Sequence, residues 1–503
     1  MVRSIAQQNG MKKGRIKRRE FLQTAGIGAA SIILGPGFAG CSGTPRVATK
    51  RITQKPNLVF IFADQWRAQA TGYAGNEDVR TPNLDRLAAE SVNFSNAVSG
   101  CPVCSPYRAS LMTGQYWLTH GIFYNDKPLN PDTMTIGKVY SQAGYETAYI
   151  GKWHLNGHGK NTSLADGRTA FIPKDRRQGF KFWRVCECTH NYNNSLYYAD
   201  TPVKQYWQGY DAIAQTREAQ EYIRQHANET PFVLFVSWGP PHAPYHTAPD
   251  KYRKMFSAGR IILHPNVPES LRKKAQEDLA GYYAHISALD DCIGDILETL
   301  KEVEIEENTI FVFTSDHGDM LHSHSQTKKQ KPWEESIKVP FLVRYPAVHA
   351  NKGKTIDMPV NTPDIMPTLL GLSGIAIPKS VEGKDFSGAI RGAQSPDNDA
   401  ALIMCPVPFH QWNYRRGGRE YRGVRTRRYT YVRDLNGPWL LYDNKRDPYQ
   451  LKNLCNNPNY AEIQQILEKI LSRKLEETND KFLPGTQYMK MWDYDWDGED
   501  API

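Results

Sequence analysis

The sequence predicts an α/β protein in which a large, mainly parallel sheet lies between helices, with a smaller C-terminal subdomain of antiparallel sheet plus helix. Three apolar runs, at residues 57–63, 231–237 and 309–314, have the length and composition of strands that are buried on both faces. Between the second and third runs, residues 271–303 carry apolar side chains at a helical period. Alternation of buried strands with helices is typical of parallel sheets, because each crossover between parallel strands needs a long connection.

The other predicted elements follow in chain order. They are helices at residues 83–93 and 135–143, strands at 147–150, 421–424, 430–433 and 440–443, and a helix at 461–477. The segment 383–396 is rich in Gly, Ser and Pro, which is typical of a connection between folded units. We therefore predict a main domain at residues 55–393 and a C-terminal subdomain with an acidic tail at residues 394–503.

The net positive charge is concentrated at the amino terminus. The 503 residues include 62 Lys and Arg against 53 Asp and Glu, a formal charge of +9, and 11% of them are aromatic. The aromatic content and mixed charge exclude a disordered chain, whereas a basic excess by itself invites a polyanionic partner such as nucleic acid. Residues 1–40 hold seven basic side chains and one acid, so the remainder carries 55 basic and 52 acidic residues. The composition therefore gives no reason to expect a nucleic-acid partner.

Residues 1–40 have the layout of an export signal, with a basic region followed by an uncharged stretch. A twin-arginine motif begins at Arg18, and a lipobox-like sequence ends at Cys41, the expected lipidation site. Glycines and a proline interrupt the apolar run, which is shorter than the ~20 residues of a spanning helix. We expect a mature protein that is anchored by lipid at Cys41 in the periplasm or at the cell surface, with residues 41–54 as a tether. The alternative is a basic tail beside a buried helix.

Seven further cysteines follow Cys41, and because their number is odd they cannot all be paired with one another. They are Cys101, Cys104, Cys186, Cys188, Cys292, Cys405 and Cys455. Their sparse, irregular spacing also argues against a disulfide framework. At least one of them therefore needs a separate explanation.

Cys104 begins the most informative stretch of the chain. The sequence Cys104-Ser-Pro-Tyr-Arg108-Ala-Ser-Leu-Met-Thr-Gly114 combines Cys-x-Pro-x-Arg with a following Thr-Gly. This pattern resembles the signature of the type I sulfatases of the alkaline phosphatase superfamily, in which a separate maturation enzyme oxidises the motif cysteine to formylglycine. Cys101, three residues earlier, lacks the proline and the arginine. The alternative interpretation is that Cys104 is a small packed thiol.

The resemblance implies an alkaline-phosphatase-like fold and a sulfuric ester hydrolase whose catalytic domain is residues 55–393. A hydrated formylglycine has two hydroxyl groups on one carbon. One attacks sulfur and forms a covalent sulfate ester, and deprotonation of the other expels sulfate and restores the aldehyde, so that no water has to attack sulfur. Arg108, four residues after Cys104, is expected to hold the alkoxide or the sulfate oxygens through charge-assisted hydrogen bonds.

Two polar pairs that follow predicted strands match the metal ligands of this family. The resemblance assigns Asp64 and Gln65, after the first strand, to a divalent cation. It assigns Asp316 and His317, after the third strand, to the same ion. Oxygen ligands suit Ca²⁺, which would polarise the sulfate. Gln65 stands in place of the usual Asp and His317 in place of the usual Asn, and the imidazole leaves Mn²⁺ or another divalent metal as the alternative.

The family also implies the acid–base groups. Lys152 and His154, in Gly-Lys-Trp-His after a predicted strand, would flank the nucleophile, where the lysine neutralises charge and the histidine removes the proton of the second hydroxyl. His242 and Lys329 would face the leaving-group oxygen, because an unactivated sugar alkoxide needs a proton. Lys331 is the alternative to Lys329.

Three weaker features concern the substrate. His190 and His324 are candidate substrate-binding residues. Cys186, Cys188 and His190 would instead offer three ligands to zinc, although no second cluster accompanies them. Residues 415–433 hold eight arginines and one acid, and we interpret them either as a basic wall for a sulfated chain or as a solvated strand face.

Together these observations predict a sulfatase that hydrolyses sulfate monoesters. A sulfated oligo- or polysaccharide is the expected substrate, because an exported enzyme meets extracellular glycans. The other expected partners are the formylglycine-generating maturation enzyme and a membrane that is reached only through the lipid anchor. One alternative is a phosphonate monoester or phosphodiester hydrolase of the same superfamily, and another is a non-catalytic surface glycan-binding lipoprotein.

Overall fold

The structure is a computed structural model that describes residues 54–158, 163–227 and 229–495. The predicted signal peptide (1–40), the lipidation site at Cys41 and nearly all of the predicted tether lie outside the described residues. Within those residues, no helix combines the length and the apolar character needed to cross a bilayer.

Sixteen strands and fourteen α-helices lie within the described residues. The strands are β1 Asn57–Asp64, β2 Val92–Phe94, β3 Ala97–Val98, β4 Glu146–Lys152, β5 Phe182–Cys186, β6 Leu196–Tyr197, β7 Gln205–Tyr206, β8 Phe232–Pro241, β9 Thr309–Ser315, β10 Phe341–Arg344, β11 Lys354–Ile356, β12 Val360–Asn361, β13 Ala400–Cys405, β14 Tyr421–Thr426, β15 Tyr429–Asp434 and β16 Gly437–Asp443. The helices are α1 Pro82–Ala89, α2 Cys104–Thr113, α3 Trp117–His120, α4 Ile136–Gln142, α5 Leu164–Arg168, α6 Asp211–His226, α7 Asp250–Arg253, α8 Arg272–Glu302, α9 Glu334–Ile337, α10 Pro346–His349, α11 Ile365–Leu372, α12 Ser387–Ile390, α13 Ala461–Glu477 and α14 Gly485–Met491.

An eight-stranded sheet positions the candidate site. Its strand order is β11-β2-β10-β9-β1-β8-β4-β5. Strand β1 is parallel to its neighbours β8 and β9, and β4 is parallel to β8 and β5, whereas β10 is antiparallel to both β9 and β2. Because β11 is parallel to β2, seven strands share one direction, and the predicted mainly parallel sheet is confirmed.

The position of strand β1 in the centre of the sheet explains why its residues are apolar throughout and do not alternate with polar ones. Leu58, Phe60 and Phe62 pack into the core on one face of the sheet, and Val59 and Ile61 pack into the core on the other. Helices α4 and α11 contribute to the first core, and α6 and α8 contribute to the second. Both faces of the sheet are therefore covered by helices, and a strand in its centre meets apolar surroundings at every position.

The C-terminal part of the chain forms a four-stranded antiparallel sheet with the order β13-β14-β15-β16. Leu467, Leu471 and Leu475 of helix α13 pack in the same core as inward-facing residues of this sheet. The predicted antiparallel strands and the following helix are confirmed, and β13 is an additional strand. The domain boundary between residues 393 and 394 stays a prediction.

One predicted helix is too long. Helix α1 ends at Ala89, and the predicted continuation to residue 93 includes strand β2 instead. Val92 and Phe94 are buried against the large sheet, where β2 pairs with β10. A three-residue strand carries too few alternating positions to be separated from a helix by its sequence pattern alone.

Candidate active site

The candidate site lies where neighbouring strands of the large sheet end. Strand β1 ends at Asp64, β4 ends at Lys152, β9 ends at Ser315, and β8 continues to Pro241. Because these strands are parallel neighbours in the order β9-β1-β8-β4, their carboxyl ends meet at one edge of the sheet. Side chains from distant parts of the chain are brought together there.

Four buried side chains form a group that can hold a cation, and we call it the ligand cluster. It comprises Asp64, Cys104, Asp316 and His317, with one ligand atom of each lying within 4.8 Å of the others. Two carboxylates and an imidazole at this spacing fit a divalent cation. The ligand cluster therefore combines three of the four predicted metal ligands with the predicted nucleophile.

The electrostatics of the two carboxylates also fit a bound metal ion. Burial and then the negative charge of Asp64 raise the pKa of Asp316 to about 6. Burial opposes ionisation of Asp64 as well, but the charge of Lys152, whose Nζ is 2.6 Å from Asp64 Oδ2, helps to hold the pKa of Asp64 well below its usual value. Two buried carboxylates so close together repel each other, and a divalent cation between them relieves that repulsion.

Gln65, the fourth predicted metal ligand, lies next to the ligand cluster and makes other contacts. Its backbone N–H donates to Asp316 Oδ1 across 2.9 Å. Its side-chain Nε2 donates to Asp319 Oδ2 (2.7 Å), and its Oε1 accepts a hydrogen bond from Lys329 Nζ (3.1 Å). Its assignment as a metal ligand stays a prediction.

Cys104 is the first residue of helix α2, and its thiol lies inside the ligand cluster. Its Sγ is 3.2 Å from His317 Nε2 and accepts a hydrogen bond from Lys329 Nζ across 3.3 Å. Burial and Asp64 raise the pKa of this thiol, but Lys152 and Lys329 outweigh them, with a contribution from His317, and the pKa lies well below its usual value. The surroundings of Cys104 therefore favour an anion at the position of this side chain.

Arg108, one turn into helix α2, connects four strand ends. One terminal nitrogen donates to the carbonyl of Lys152 (2.8 Å) and to Ser237 Oγ (2.7 Å). The other lies 3.4 Å from Asp64 Oδ2 and 3.3 Å from Asp316 Oδ2. Because these four partners belong to or follow β4, β8, β1 and β9, the guanidinium group aligns the strand ends and neutralises charge. Its predicted contact with sulfate oxygens stays a prediction.

Lys329, and not Lys331, lies at the ligand cluster. Besides its contacts with Cys104 and Gln65, Lys329 Nζ donates to His242 Nε2 across 2.8 Å. Lys331 Nζ instead donates to the carbonyl of Thr327 and lies 5.3 Å from the centre of the Trp412 ring. The structure thus separates two lysines that their sequence context leaves equivalent.

His242 is held as a neutral imidazole. Its Nδ1 is 2.8 Å from the carbonyl oxygen of Ala243, which can only accept, so Nδ1 carries a proton and Nε2 accepts from Lys329. Burial, Lys329 and His190 lower the pKa of His242. In this hydrogen bond Lys329 Nζ is therefore the donor and His242 Nε2 the acceptor.

We expect Lys329→Ala to lower kcat/KM for an alkyl or sugar sulfate by about 10²–10³-fold, because the leaving alkoxide loses its proton donor. The loss for 4-nitrophenyl sulfate should be smaller, since nitrophenolate leaves without a proton. Steady-state kinetics on both substrates measure this difference. Lys331→Met is the matched control. If the ratio of kcat/KM for the alkyl or sugar sulfate to kcat/KM for 4-nitrophenyl sulfate changed equally in both variants, the role of Lys329 would be contradicted.

His154 is bound to an acid that the sequence analysis did not single out. Its Nε2 is 2.9 Å from Asp126 Oδ1, and Arg168 forms two hydrogen bonds with the same carboxylate (2.9 and 2.7 Å). Burial opposes a positive charge on this ring, but Cys188 and Asp126 raise the pKa of His154 to about 10. Its Nδ1 is buried and has no hydrogen-bond partner among the described residues. Asp126 therefore fixes the ring and leaves Nδ1 as the nitrogen that can act.

We expect Asp126→Asn to lower the free energy of unfolding by about 3–5 kcal/mol at pH 6, because it leaves buried positive charge unpaired. The pKa of His154 is raised above its unfolded value of about 6.5, so this stabilisation is complete below that pH and is lost as the pH rises through about 10. Urea unfolding of the wild-type protein and the variant between pH 5 and 10 measures how the difference in unfolding free energy depends on pH. The control is Asp132→Asn, which removes an exposed carboxylate. A stability difference that does not vary with pH would contradict the coupling.

The two predicted substrate-binding histidines lie in different surroundings. The His190 ring stacks on His242, with ring centres 4.4 Å apart and planes at 15°. The His324 ring stacks instead on Trp333, and its Nε2 is 3.2 Å from Asn266 Nδ2. His190 is therefore adjacent to the Lys329–His242 pair, whereas the contacts of His324 are with residues outside the ligand cluster.

The zinc alternative finds no support in the described residues. Cys186 and Cys188 are both buried free thiols, and they do not form a metal-compatible group with His190. All seven cysteines of the described part of the chain are free. This agrees with the prediction that they do not form a disulfide framework.

Sequence reasoning missed three residues of the site. Ser237 ends the predicted strand at 231–237, so the rule that identified the other strand ends applies to it as well. Asp126 and Arg168 lie in loop and short-helix segments with no distinguishing pattern. Asp126 contacts His154, and Arg168 contacts Asp126, only in the folded chain. No local sequence pattern predicts these contacts.

The fold is a mainly parallel α/β sheet of the alkaline-phosphatase-like class, and at its carboxyl edge it carries a buried group that can hold a cation, with a thiol at a helix start. The sulfatase family model matches residues 56–375, and a model described as N-sulphoglucosamine sulphohydrolase, C-terminal, matches residues 323–477. The chain belongs to the sulfatase family and is a sulfuric ester hydrolase, as the Cys104 motif predicts.

Similar proteins of known name agree with this assignment. The chain is 44% identical over 447 residues to an ulvan-active sulfatase of Formosa agariphila, with 88% of this chain and 85% of that protein covered. It is 30% identical to an endo-4-O-sulfatase of Bacteroides thetaiotaomicron, with 88% and 95% covered. A solved structure from work on glycosaminoglycan metabolism by Bacteroides thetaiotaomicron superimposes with a TM-score of 0.77 at 29% identity, with 87% of this chain and 99% of that chain covered.

Proposed function

We propose that this sulfatase hydrolyses sulfate monoesters of sulfated oligo- or polysaccharides, with Cys104 in its formylglycine form and a divalent metal ion in the ligand cluster. The observation that carries the proposal is the position of Cys104. Its side chain is buried at the start of α2 among Asp64, Asp316 and His317, with the Lys329 ammonium group 3.3 Å from its sulfur. A nucleophile at this position meets both the cation site and a proton donor.

The hydrate of formylglycine supplies two hydroxyl groups on one carbon, one for attack on sulfur and one for the release of sulfate. A divalent ion held by Asp64, Asp316 and His317 would supply positive charge that polarises the sulfate. Lys152 neutralises Asp64 next to the nucleophile. His154 is fixed through its Nε2 by Asp126, and in its neutral form it takes up the proton of the second hydroxyl at Nδ1. Because the pKa of His154 is raised to about 10, that neutral form becomes more populated as the pH rises toward this value.

The leaving sugar oxygen receives its proton from the Lys329–His242 pair. The Lys329 ammonium group reaches both Cys104 and His242, so it lies between the nucleophile and the His190–His242 stack. A poor leaving group departs as an alcohol when this proton is transferred with the S–O bond cleavage.

The names of similar proteins support a glycan substrate. One relative is ulvan-active and another is an endo-4-O-sulfatase. The export signal predicted in residues 1–40 and the lipidation predicted at Cys41 also support placement in the periplasm or at the cell surface, where such glycans are met. Calcium is the proposed metal, with Mn²⁺ as the alternative that His317 allows.

The proposal is tested on protein that is produced together with a formylglycine-generating enzyme. Mass spectrometry of the peptide that contains Cys104 should reveal an aldehyde. Turnover is then compared on sulfated oligosaccharides, an aryl sulfate, an aryl phosphonate and a phosphodiester. We expect the sulfate esters to be preferred by kcat/KM.

Three outcomes would overturn the proposal. An unmodified Cys104 in protein that still cleaves sulfate esters would refute the formylglycine mechanism. Faster turnover of the phosphonate or phosphodiester would support the corresponding hydrolase instead, and glycan binding without any hydrolysis would support the non-catalytic binding protein.

A further inference from the structure

The segment that carries Lys329 has an unusual backbone. Residues 321–330 contain no glycine, yet six of them have positive φ angles, between 41° and 76°. These six are Leu321, His322, His324, Ser325, Lys328 and Gln330. Residues with a Cβ rarely adopt this left-handed conformation, because the Cβ comes too close to the following carbonyl oxygen. Local preferences therefore do not set the position of Lys329, and contacts from outside the segment have to hold it.

Asp319, a fully buried carboxylate just before this segment, binds the backbone at both of its ends. Its Oδ1 accepts hydrogen bonds from the N–H of Leu321 (3.1 Å) and from the N–H of Lys328 (2.9 Å). The carbonyl of Lys328 in turn accepts from the N–H of Met320 (2.8 Å). These bonds close the segment into a loop and fix the backbone at the residue immediately before Lys329.

The other oxygen of Asp319 orients the Gln65 side chain. Asp319 Oδ2 accepts hydrogen bonds from Gln65 Nε2 (2.7 Å) and from the Tyr245 hydroxyl. An ionised carboxylate oxygen can only accept, so the NH₂ end of the Gln65 amide has to face Asp319. The Oε1 end then faces Lys329, whose Nζ donates to it across 3.1 Å. In the opposite orientation, the amide and the ammonium group would meet as two donors.

The ammonium group of Lys329 has three protons and meets three acceptors. They are Gln65 Oε1, Cys104 Sγ (3.3 Å) and His242 Nε2 (2.8 Å). Of these acceptors, Gln65 is the one whose orientation Asp319 fixes. Asp319 therefore reaches Lys329 by two routes, through the backbone of Lys328 and through the Gln65 amide.

We propose that Asp319 is a positioning residue that holds Lys329 in place for proton donation. The inference rests on the proposed function, in which Lys329 protonates the leaving sugar oxygen. That step needs the ammonium group at hydrogen-bond distance from the oxygen in a fixed geometry, whereas a nitrophenolate leaving group needs no proton. Loss of Asp319 should therefore slow mainly those substrates whose leaving group has to be protonated.

The test measures the ratio of kcat/KM for a sugar sulfate to kcat/KM for 4-nitrophenyl sulfate in protein that carries formylglycine. We expect Asp319→Asn to lower this ratio by roughly 10- to 100-fold. Its new amide nitrogen donates where a carboxylate oxygen accepted, so either the Gln65 amide turns around or the loop loses its acceptor. In the Lys329→Ala background, the same substitution should change the ratio by less than about threefold, because no ammonium group is left to position.

Asp364→Asn is the matched control. Asp364 is another buried carboxylate that accepts hydrogen bonds from two backbone N–H groups, those of Asn361 (2.7 Å) and Lys384 (2.8 Å). Its variant should lose stability for the same reason as Asp319→Asn. The ratio of the two kcat/KM values should stay unchanged, because Asp364 holds a different part of the chain.

Tyr245→Phe is a second, milder variant, and it decides the question if Asp319→Asn does not fold. It removes one hydrogen bond from Asp319 Oδ2 and keeps the aromatic ring, which contacts Tyr282 edge-on. We expect the ratio to fall by roughly two- to tenfold, because the carboxylate that orients Gln65 is held less firmly.

The outcomes separate this inference from the proposed function. Equal losses on both substrates in Asp319→Asn, or no loss, would overturn the positioning role and leave the proposed function standing if Lys329→Ala lowers the ratio. A drop of the ratio that is as large in the Lys329→Ala background would also overturn it, because Asp319 would then act independently of Lys329. If Asp319→Asn does not fold, an unchanged ratio in Tyr245→Phe overturns the positioning role. An unchanged ratio in Lys329→Ala overturns both this inference and the proposed proton donor.

Discussion

Cys104→Ala is expected to lower sulfate ester hydrolysis by about 10³-fold or more, because it removes the only nucleophile that the proposed mechanism uses. The thiol lies within the ligand cluster, and the methyl group that replaces it provides no atom that can attack sulfur. Steady-state kinetics on an aryl sulfate and on a sulfated oligosaccharide measure the loss. Both substrates should be affected alike, since the step that is lost precedes any difference between leaving groups.

Cys101→Ala is the matched control for this variant. Cys101 is buried like Cys104 and lies three residues earlier, but it packs in the core beneath the C-terminal sheet and not in the ligand cluster. Its replacement should leave kcat/KM within a few-fold of the wild-type value. Circular dichroism and thermal unfolding check that both variants fold. Residual activity of Cys104→Ala close to that of Cys101→Ala would refute the assignment of the nucleophile.

Removal of the metal is expected to have an effect of similar size. Treatment with a chelator, or the substitution Asp316→Asn, should lower kcat by about 10²–10³-fold, because positive charge is lost where negative charge develops on the sulfate. In the chelated wild-type protein, Asp64 and Asp316 repel each other without the cation, so its thermal stability should fall as well. Metal analysis by mass spectrometry should find one divalent ion per chain in the wild-type protein and less in the variant.

Asp290→Asn is the matched control for metal binding. Asp290 is a buried carboxylate that accepts hydrogen bonds from the backbone of Asn83 and Leu84 at the start of helix α1, away from the ligand cluster. Its variant should keep both metal and activity. Calcium should restore the chelated enzyme, and restoration by Mn²⁺ but not by Ca²⁺ would contradict the calcium assignment. Full activity of metal-free protein would contradict the cation site itself.

Much of the fold could be predicted because its central strands are recognisable locally. The runs that form β1, β8 and β9 are apolar throughout, since each strand is covered by helices on both faces. The ends of such strands meet at one edge, so Asp64, Lys152 and Asp316 could be placed together before the structure was known. Short β2 could not be predicted in this way, because it is stabilised by pairing with β10.

The candidate site was predictable only in part. The Cys104 motif and the residues after the strands identify the ligand cluster, but the choice between Lys329 and Lys331 depends on the loop that carries both. Asp126 meets His154 across 28 residues of chain without any local pattern. For the arginine-rich segment 415–433, the sequence overstates the free positive charge. Six of its eight arginines are neutralised by carboxylates that the folded chain brings next to them.

The sequence by itself determined the fold class and the sulfatase family, and it supplied the residues that we propose as the nucleophile and the cation ligands. These properties can be read from short stretches of sequence. Strands that are buried on both faces consist of apolar residues, and the Cys104 motif is a continuous segment of the chain. The tertiary structure decided which charges remain free. Arg422 is neutralised by Asp480 and Arg425 by Glu334, while Arg415 and Arg416 are exposed and have no carboxylate partner among the described residues. The physical reason is that electrostatic pairing depends on distance in space, and the folded chain brings together residues that the sequence separates by tens to hundreds of positions.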